Sequence, residues 1–438
     1  MNKNVKIQDE QNSSIVLLFL HPHRVNDLKN WLKSIALAEE LTILLVVSDR
    51  TVNKTEELIN TKHIITVINL EDYEVQYGNF FSKSSLLMLW YELKHSYLKF
   101  KNRYKATLKL LSNYNESVLV TYDDCMPSLL PILKASNKLS IPVFLPAILT
   151  TQPDITATTS NTLKPKRKIE KYIVWFVQKI FPGHISSDGR LFYNAIDYLV
   201  LQWFRSVPLC PWVKGTLIFT TKLGVESRLA YEKLIAAGVD ANKLELTGMP
   251  VYDLMDFSRK ETNSNILLCA LPQYGEHGAM DVNQALPLIE EILLAFKKFS
   301  GKVVISLHPR MDPKIYEPIV DKYGFKCVVG DIDQLLKKAS LFFAASSSTT
   351  IYSALMMGVP TVALNHLRPK SSMFKDFSSI VYIEKNVESE IAVIIEQKYQ
   401  SNWSDLLKHD QQLLSHDLVS DGKCGKRNLE IIEKLRNK

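Results

Sequence analysis

Cysteine is scarce and unpatterned in this 438-residue chain. Its five thiols, Cys125, Cys210, Cys269, Cys327 and Cys424, are scattered, odd in number and lack Cys-X-X-Cys spacing. That argues against a disulfide framework and a zinc site, and it fits a reducing cytoplasm. No run reaches 18 apolar residues, so no transmembrane span is expected. The segment Met1 to Glu10 holds no apolar signal-peptide core. The net charge is +7, yet the basic residues form no block with a nucleic-acid-binding motif, so nucleic acid is not an expected partner. Repeats at solenoid periods and low-complexity tracts are missing as well.

What remains is the composition of a folded protein, 46% hydrophobic and 23% charged. At 438 residues the chain exceeds one ordinary core, so two domains are expected. Short apolar runs alternate with helical segments. Residues 14–20, 41–47, 63–68, 117–122 and 141–146 read as strands, and 27–38, 83–112 and 128–138 as helices. The rhythm breaks over 151–215. It resumes with a strand at 215–220, a helix at 227–237 closed by Gly238, and a strand at 243–250. Later strands fall at 266–271, 302–307, 327–329, 341–345 and 361–364, the last two completing the sheet, with helices at 284–298 and 332–339. Such alternation predicts parallel sheets covered on both faces. The expected division is a Rossmann-like domain over 1–257 with a helical insertion at 151–215, a polar linker at 258–265, a second Rossmann-like domain over 266–402, and a helical tail over 403–438.

The stretch from Phe342 to Leu364 organises the chain. It reads as strand, hydroxyl-rich turn, helix, Gly358-Val359-Pro360 stop and strand. Five consecutive hydroxyls, Ser346, Ser347, Ser348, Thr349 and Thr350, lie where a helix starts at the carboxyl end of a parallel strand. Free N–H groups and a partial positive charge there suit a phosphate; simple helix capping is the competing reading. His308, Pro309 and Arg310 follow the strand at 302–307 and strengthen the anion reading. Gln273, Glu276 and His277 occupy the loop after the strand at 266–271 and could contact a nucleotide.

In the first half, His21, His23 and Arg24 follow the first strand and are acceptor-side candidates. Asp123 and Asp124 follow the strand at 117–122. Paired carboxylates at a strand end suit general-base work, because proximity raises the pKa of one; the alternative is that one caps the next helix. Glu226, Arg368 and Lys370 are weaker candidates. Lys164, Lys166, Arg167, Lys168 and Lys171 precede the run Tyr172 to Val177, and Tyr198, Trp203, Phe204 and Trp212 follow. Basic residues beside aromatic ones suit peripheral contact of 164–212 with an anionic bilayer. An elaborated helical region with core aromatics is the alternative.

In order along the chain, several patches resemble the GT-B superfamily. They are similar to the non-hydrolysing UDP-N-acetylglucosamine 2-epimerases and to bacterial sialyl-, polysialyl- and Kdo-transferase-like enzymes. The patches are Tyr122-Asp123-Asp124 through Ile141-Pro142-Val143, Glu226-Ser227-Arg228 through Gly238-Val239, and Leu246 to Asp253. They continue with Leu307-His308-Pro309-Arg310, Ser346-Ser347-Ser348 through Gly358-Val359-Pro360, and Asp421-Gly422-Lys423 through Arg427. The resemblance implies two Rossmann-like domains facing a cleft, with a C-terminal helix crossing back. The epimerase loops themselves differ. His21-Pro22-His23-Arg24 stands in place of Gly-Thr-Arg-Pro-Glu, Leu145 to Leu149 in place of Glu-Ala-Gly-Leu-Arg, and Leu271 to His277 in place of His-Arg-Arg-Glu-Asn. The sialyltransferase pattern of an acidic pair then Gly, a His-Pro pair and a Ser-Ser/Thr element corresponds to Asp123-Asp124-Cys125, His308-Pro309 and Ser347-Ser348 or Ser348-Thr349, with Cys in place of Gly.

The resemblance implies a metal-independent glycosyltransferase of bacterial surface glycans, needing no cofactor. Its donor would be a nucleotide sugar, CMP-sialic acid or CMP-Kdo by preference and a UDP-sugar otherwise. Asp123 or Asp124 would be the base, and His308 with the serines would hold the leaving phosphate. Capsule, O-antigen or lipooligosaccharide would be the acceptor, reached from the cytoplasm on the inner face of the plasma membrane. The alternatives are an epimerase or hydrolase of nucleotide sugars, or a polyol-phosphate transferase using a CDP-alcohol.

Overall fold

The computed structural model of the chain describes residues 15–59, 61–73, 85–148, 168–185, 189, 191–258, 265–276, 280–308, 311–330, 332–366, 373–397, 403–417 and 421–437. They form two compact units. The first takes in the described residues up to Met255 and those from 421 onward; the second runs from Asp256 to Asp417.

The first unit contains β1 (Ile15–Phe19), α1 (Val25–Ala36), β2 (Thr42–Val47), α2 (Glu56–Ile59), β3 (Ile64–Asn69), α3 (Ser85–Leu111), β4 (Val118–Val120), α4 (Leu130–Lys138), β5 (Val143–Leu145), α5 (Lys168–Ile180), α6 (Ala195–Trp203), β6 (Lys222–Val225), α7 (Arg228–Ala236), β7 (Leu244–Leu246) and α8 (Pro250–Leu254). Its seven strands run parallel in the order β3-β2-β1-β4-β5-β6-β7. Strand β1 (Ile-Val-Leu-Leu-Phe) is buried throughout because helices cover both faces of a parallel sheet. Helix α1 buries Val25, Leu28, Trp31, Leu32 and Ile35, spaced as one helical face requires.

One strand expectation fails here. The apolar run 215–220 is a turn-rich loop, and the strand lies just beyond it at Lys222–Val225. Polar contacts explain the shift. Gly215 adopts φ +83°, outside any strand. Lys243 Nζ donates to the carbonyls of Gly215 (3.2 Å) and Leu217 (2.8 Å). The loop's remaining donors turn onto Asp124, as described below.

The second unit contains β8 (Ile266–Ala270), α9 (Val282–Phe296), β9 (Lys302–Leu307), α10 (Pro313–Lys322), β10 (Lys326–Val329), α11 (Ile332–Leu336), β11 (Leu341–Ala345), α12 (Thr350–Met356), β12 (Thr361–Leu364), β13 (Ile380–Ile383), α13 (Val387–Gln397) and α14 (Trp403–Asp417). Its six strands are parallel in the order β10-β9-β8-β11-β12-β13. Strand β12 does not complete the sheet; β13 pairs beyond it, Thr361 opposite Ile380. Residues Ile289, Ile292, Leu293 and Phe296 of α9 pack on the sheet, with the Phe296 and Phe343 rings 4.8 Å apart.

The last helix, α15 (Cys424–Arg436), crosses back to the first unit. Asp253 of α8 holds its start. The Asp253 carboxylate accepts from Cys424 N (3.0 Å), Gly425 N (2.8 Å) and the Ser34 hydroxyl (2.6 Å). A carboxylate at a helix N-terminus is favoured by the dipole. Trp31 of α1 donates to Asn428 Oδ1 at 3.3 Å, so α1 and α15 are joined by packing and by polar contacts. Among the described residues no helix is long and apolar enough to cross a membrane.

Both strand orders reverse direction once, between β1 and β4 and between β8 and β11. In open parallel sheets the loops at the carboxyl ends of such strands splay apart and leave a crevice for ligands.

Candidate active site

His21 follows β1 and Asp123 follows β4, so both stand at the reversal of the first sheet. Asp123 is 8% exposed. Its Oδ1 accepts from Cys125 N (2.6 Å) and Met126 N (3.0 Å), which shapes the turn into α4. No protein group among the described residues donates to its Oδ2. Asp124 is fully buried and differently placed. It accepts from Gly215 N at 3.2 and 3.0 Å and from the Thr220 hydroxyl at 2.7 Å. Burial, followed by the neighbouring Asp123 charge, pushes its pKa up to about 6. Neither aspartate caps α4, whose N-terminus carries no side-chain cap; Asp123 closes the turn 123–126 with one oxygen, and Asp124 anchors the 215–220 loop.

His21 Nδ1 pairs with the Tyr122 hydroxyl, and His21 Nε2 lies 3.4 Å from Ser128 Oγ. Burial and then the Arg24 charge lower the His21 pKa, while the Asp123 charge pulls it partly back. The imidazole is thus neutral at pH 7. Arg24 binds Asp27 at 3.3 Å, and its Nε is buried without a partner. His23 belongs to the turn Pro22–Arg24 that opens α1. Glu226 is fully buried just past β6, beside Ser227, whose hydroxyl caps α7 by accepting from Ala230 N at 3.0 Å.

The Asp123, Asp124 and Cys125 ligand atoms lie within 4.8 Å of one another. The Asp124 carboxylate already accepts from Gly215 N and the Thr220 hydroxyl. Burial raises the Cys125 thiol well above its ordinary pKa, so it stays protonated.

In the second unit, Ser346 to Thr350 link β11 to α12, as their hydroxyl pattern suggests. Ser346 is committed to the fold: its hydroxyl donates to Asn365 Oδ1 at 2.6 Å, and its N–H to Leu364 O. Ser348 and Thr350 share a 2.6 Å hydroxyl contact. The N–H groups of Ser347, Thr349 and Thr350 reach no protein acceptor among the described residues. Helix α12 has only seven residues, so its dipole is small.

Gln273 and Glu276 follow β8, the strand beside β11. Glu276 Oε1 accepts from the Tyr316 hydroxyl at 2.7 Å, and its buried Oε2 has no partner among the described residues. Gln273 is half-buried. His308 is exposed at the end of β9. Strand β8 stands between β9 and β11, so about 10 Å separates the strand ends carrying His308 and the serines. Pro309, Arg310, His277, Arg368 and Lys370 lie outside the described residues.

Sequence reasoning missed His366. It follows β12, pairs through Nε2 with the Tyr274 hydroxyl (3.1 Å), and leaves Nδ1 buried with no partner among the described residues. Burial lowers its pKa, so it too is neutral at pH 7. Its signal was the same as for the others, a polar side chain just past a parallel strand. Tyr122, Ser128 and Asn365 also went unnoticed because their partners are distant in sequence.

This architecture is the GT-B type, two parallel-sheet Rossmann-like units, as solved structures of similar fold show. The UDP-GlcNAc 2-epimerase of Neisseria meningitidis, solved with UDP-GlcNAc, aligns with TM-score 0.51 and 11% identity over 97% of this chain and 100% of that one. HepE of Anabaena, solved with UDP and glucose, aligns at 0.52 and 13% identity over 98% and 100%. The glycotransferase of kitacinnamycin aligns at 0.53 and 13% identity over 96% and 98%. No family model matches the chain, and no curated protein does.

Proposed function

We propose that this protein is a glycosyltransferase that moves a sugar from a nucleotide donor to a bacterial surface glycan or glycolipid. One observation carries the reading. At the reversal of the second sheet, the N–H groups of Ser347, Thr349 and Thr350 after β11 have no protein acceptor among the described residues, and the loop after the adjacent strand β8 carries Glu276, whose buried Oε2 has no protein donor among them. Donors suit a phosphate, and an acceptor oxygen suits a sugar or nucleoside hydroxyl.

In this reading the second unit holds the donor. The turn Ser346–Thr350 takes the phosphate, with His308, Pro309 and Arg310 as further phosphate ligands and Gln273 and Glu276 on the nucleoside. Fixed N–H dipoles stabilise the departing phosphate where negative charge develops. The first unit activates the acceptor. Asp123 Oδ2 takes the proton from the acceptor hydroxyl as its oxygen attacks the anomeric carbon and the bond to phosphate breaks. Neutral His21 orients that hydroxyl, with His23 and Arg24 on the acceptor side. Asp124 supports the loop below them. Turnover needs no metal, the departing phosphate being met by the N–H groups of the serine turn. Residence on the inner face of the plasma membrane gives access to capsule, O-antigen or lipooligosaccharide precursors.

The Asp123-Asp124, His308-Pro309 and Ser347-Ser348 pattern favours CMP-sialic acid or CMP-Kdo. The UDP and UDP-GlcNAc in similar folds favour a UDP-sugar. A second reading, a nucleotide-sugar epimerase or hydrolase, draws on the epimerase of similar fold. The replaced loops at 21–24, 145–149 and 271–277 weigh against it. A polyol-phosphate transferase using a CDP-alcohol suits the same serine turn.

The test is nucleotide release from CMP-sialic acid, CMP-Kdo, UDP-GlcNAc and a CDP-alcohol, with and without surface glycan, in chelator. Acceptor-dependent release in chelator is the expected result. Release without acceptor points to the hydrolase, and abolition by chelator overturns metal independence.

A further inference from the structure

Helix α5 is held by little. Among its described side chains only Val177 is buried. Ile169, Tyr172, Phe176 and Ile180 recur at i, i+3, i+7 and i+11, which places them on one stripe. Such a stripe belongs in a core, yet Tyr172 is 71% exposed, Phe176 56% and Ile180 50%. Trp175, 54% exposed, flanks the stripe with Lys179 Nζ 4.1 Å from its ring centroid. The apolar surface continues past the helix. Phe181 is exposed, and Leu209 is 70% exposed beside Gly183, where Cys210 Sγ contacts Gly183 O at 3.5 Å. Trp203, 77% exposed, ends the neighbouring helix α6.

Charge narrows the partner. Between residues 164 and 181 six Lys and Arg (164, 166, 167, 168, 171 and 179) face a single acidic residue, Glu170. We infer that this face of α5, with Phe181, Leu209 and Trp203, docks on a bilayer surface carrying anionic headgroups. A helix that rests on Val177 and the half-buried Ile173 and Val174 presents its other face as a ridge rather than a groove, and a ridge of aromatic and aliphatic side chains embeds in a fluid interface. Tyr and Trp carry an apolar ring with a polar edge that suits the headgroup boundary. Lysine stems lie along the rings while their ammonium groups reach phosphate, and Lys179 over Trp175 already has that arrangement. The docking does not depend on the donor sugar or on any active-site residue.

The test is flotation of the full chain with phosphatidylcholine vesicles, with and without phosphatidylglycerol. Wild type should float with the anionic vesicles and stay behind with the neutral ones. Tyr172→Ser with Phe176→Ser should abolish flotation while leaving the thermal midpoint unchanged, since both positions are exposed. Lys171→Gln and Lys179→Gln should each weaken partition about fivefold, and added salt should do the same. Failure of wild type to float, equal flotation with neutral lipid, or undiminished flotation of the Tyr172/Phe176 variant overturns the proposal. So does sedimentation showing a dimer that the same variant dissociates, because a second copy would then cover the face.

Discussion

Asp124 makes the stability of this protein depend on pH in a defined direction. Its folded pKa of about 6 lies above the ordinary aspartate value of 3.8, so the folded state binds the proton more tightly than the unfolded one. The stability it contributes is full below pH about 4 and is lost as the pH rises through about 6. Asp124→Asn removes the titration. The advantage of wild type over that variant should shrink by about 2 kcal/mol between pH 4 and 7, as read by urea denaturation across pH. A gap that widens with pH would contradict the assignment. Asp123 is the complementary case. Asp123→Asn keeps an Oδ1 to accept from Cys125 N and Met126 N, so stability should change little. Transfer should fall about 100- to 10,000-fold in kcat if Oδ2 is the base. The sequence does not separate these neighbours. What separates them is which one the 215–220 loop captures, and that contact spans 91 residues to Gly215 and 96 to Thr220.

At the scale of elements, most of the sheet was legible. Strands β1, β2, β8, β9, β11 and β12 lie under helices on both faces, so their sequences are continuous apolar runs between turn residues. The 215–220 segment has the same apolar look, but its backbone is claimed by Asp124 and Lys243. Strand β13 is four residues long at the sheet edge and half-exposed at Val381 and Tyr382, which blurs its pattern. The hydroxyl turn was legible because hydroxyls before a helix are a local signal. The His21–Tyr122 pair was not, because it joins loops 101 residues apart. The return of α15 depends on close contact with α1. A Cβ on Gly425 would come within 2.0 Å of Ser34 O and 2.4 Å of Ser34 C, both backbone atoms. Gly425→Ala should therefore destabilise by more than about 3 kcal/mol, because the helices must part. Asp253→Ala should cost about 3 kcal/mol through three orphaned donors. Chemical denaturation of both variants checks the order, and a neutral Gly425→Ala would contradict the packing.

At the scale of the molecule, each unit has its own parallel sheet and reversal, and each reversal gathers polar groups of different character. The first sheet presents a neutral imidazole and a carboxylate, which suit proton transfer from a hydroxyl. The second presents unsatisfied N–H groups, which suit a phosphate. That difference is the central claim, and nucleotide binding tests it most directly. The measurement is a thermal-shift series with CMP, CDP, UDP, UMP and GDP on wild type, Ser347→Ala and His308→Ala. A ligand that binds only the folded state at 100 times its Kd stabilises it by about 2.7 kcal/mol. A raised midpoint with one nucleotide class, reduced in both variants, is the expected result. No shift with any nucleotide would contradict it and leave the serine turn as a helix cap.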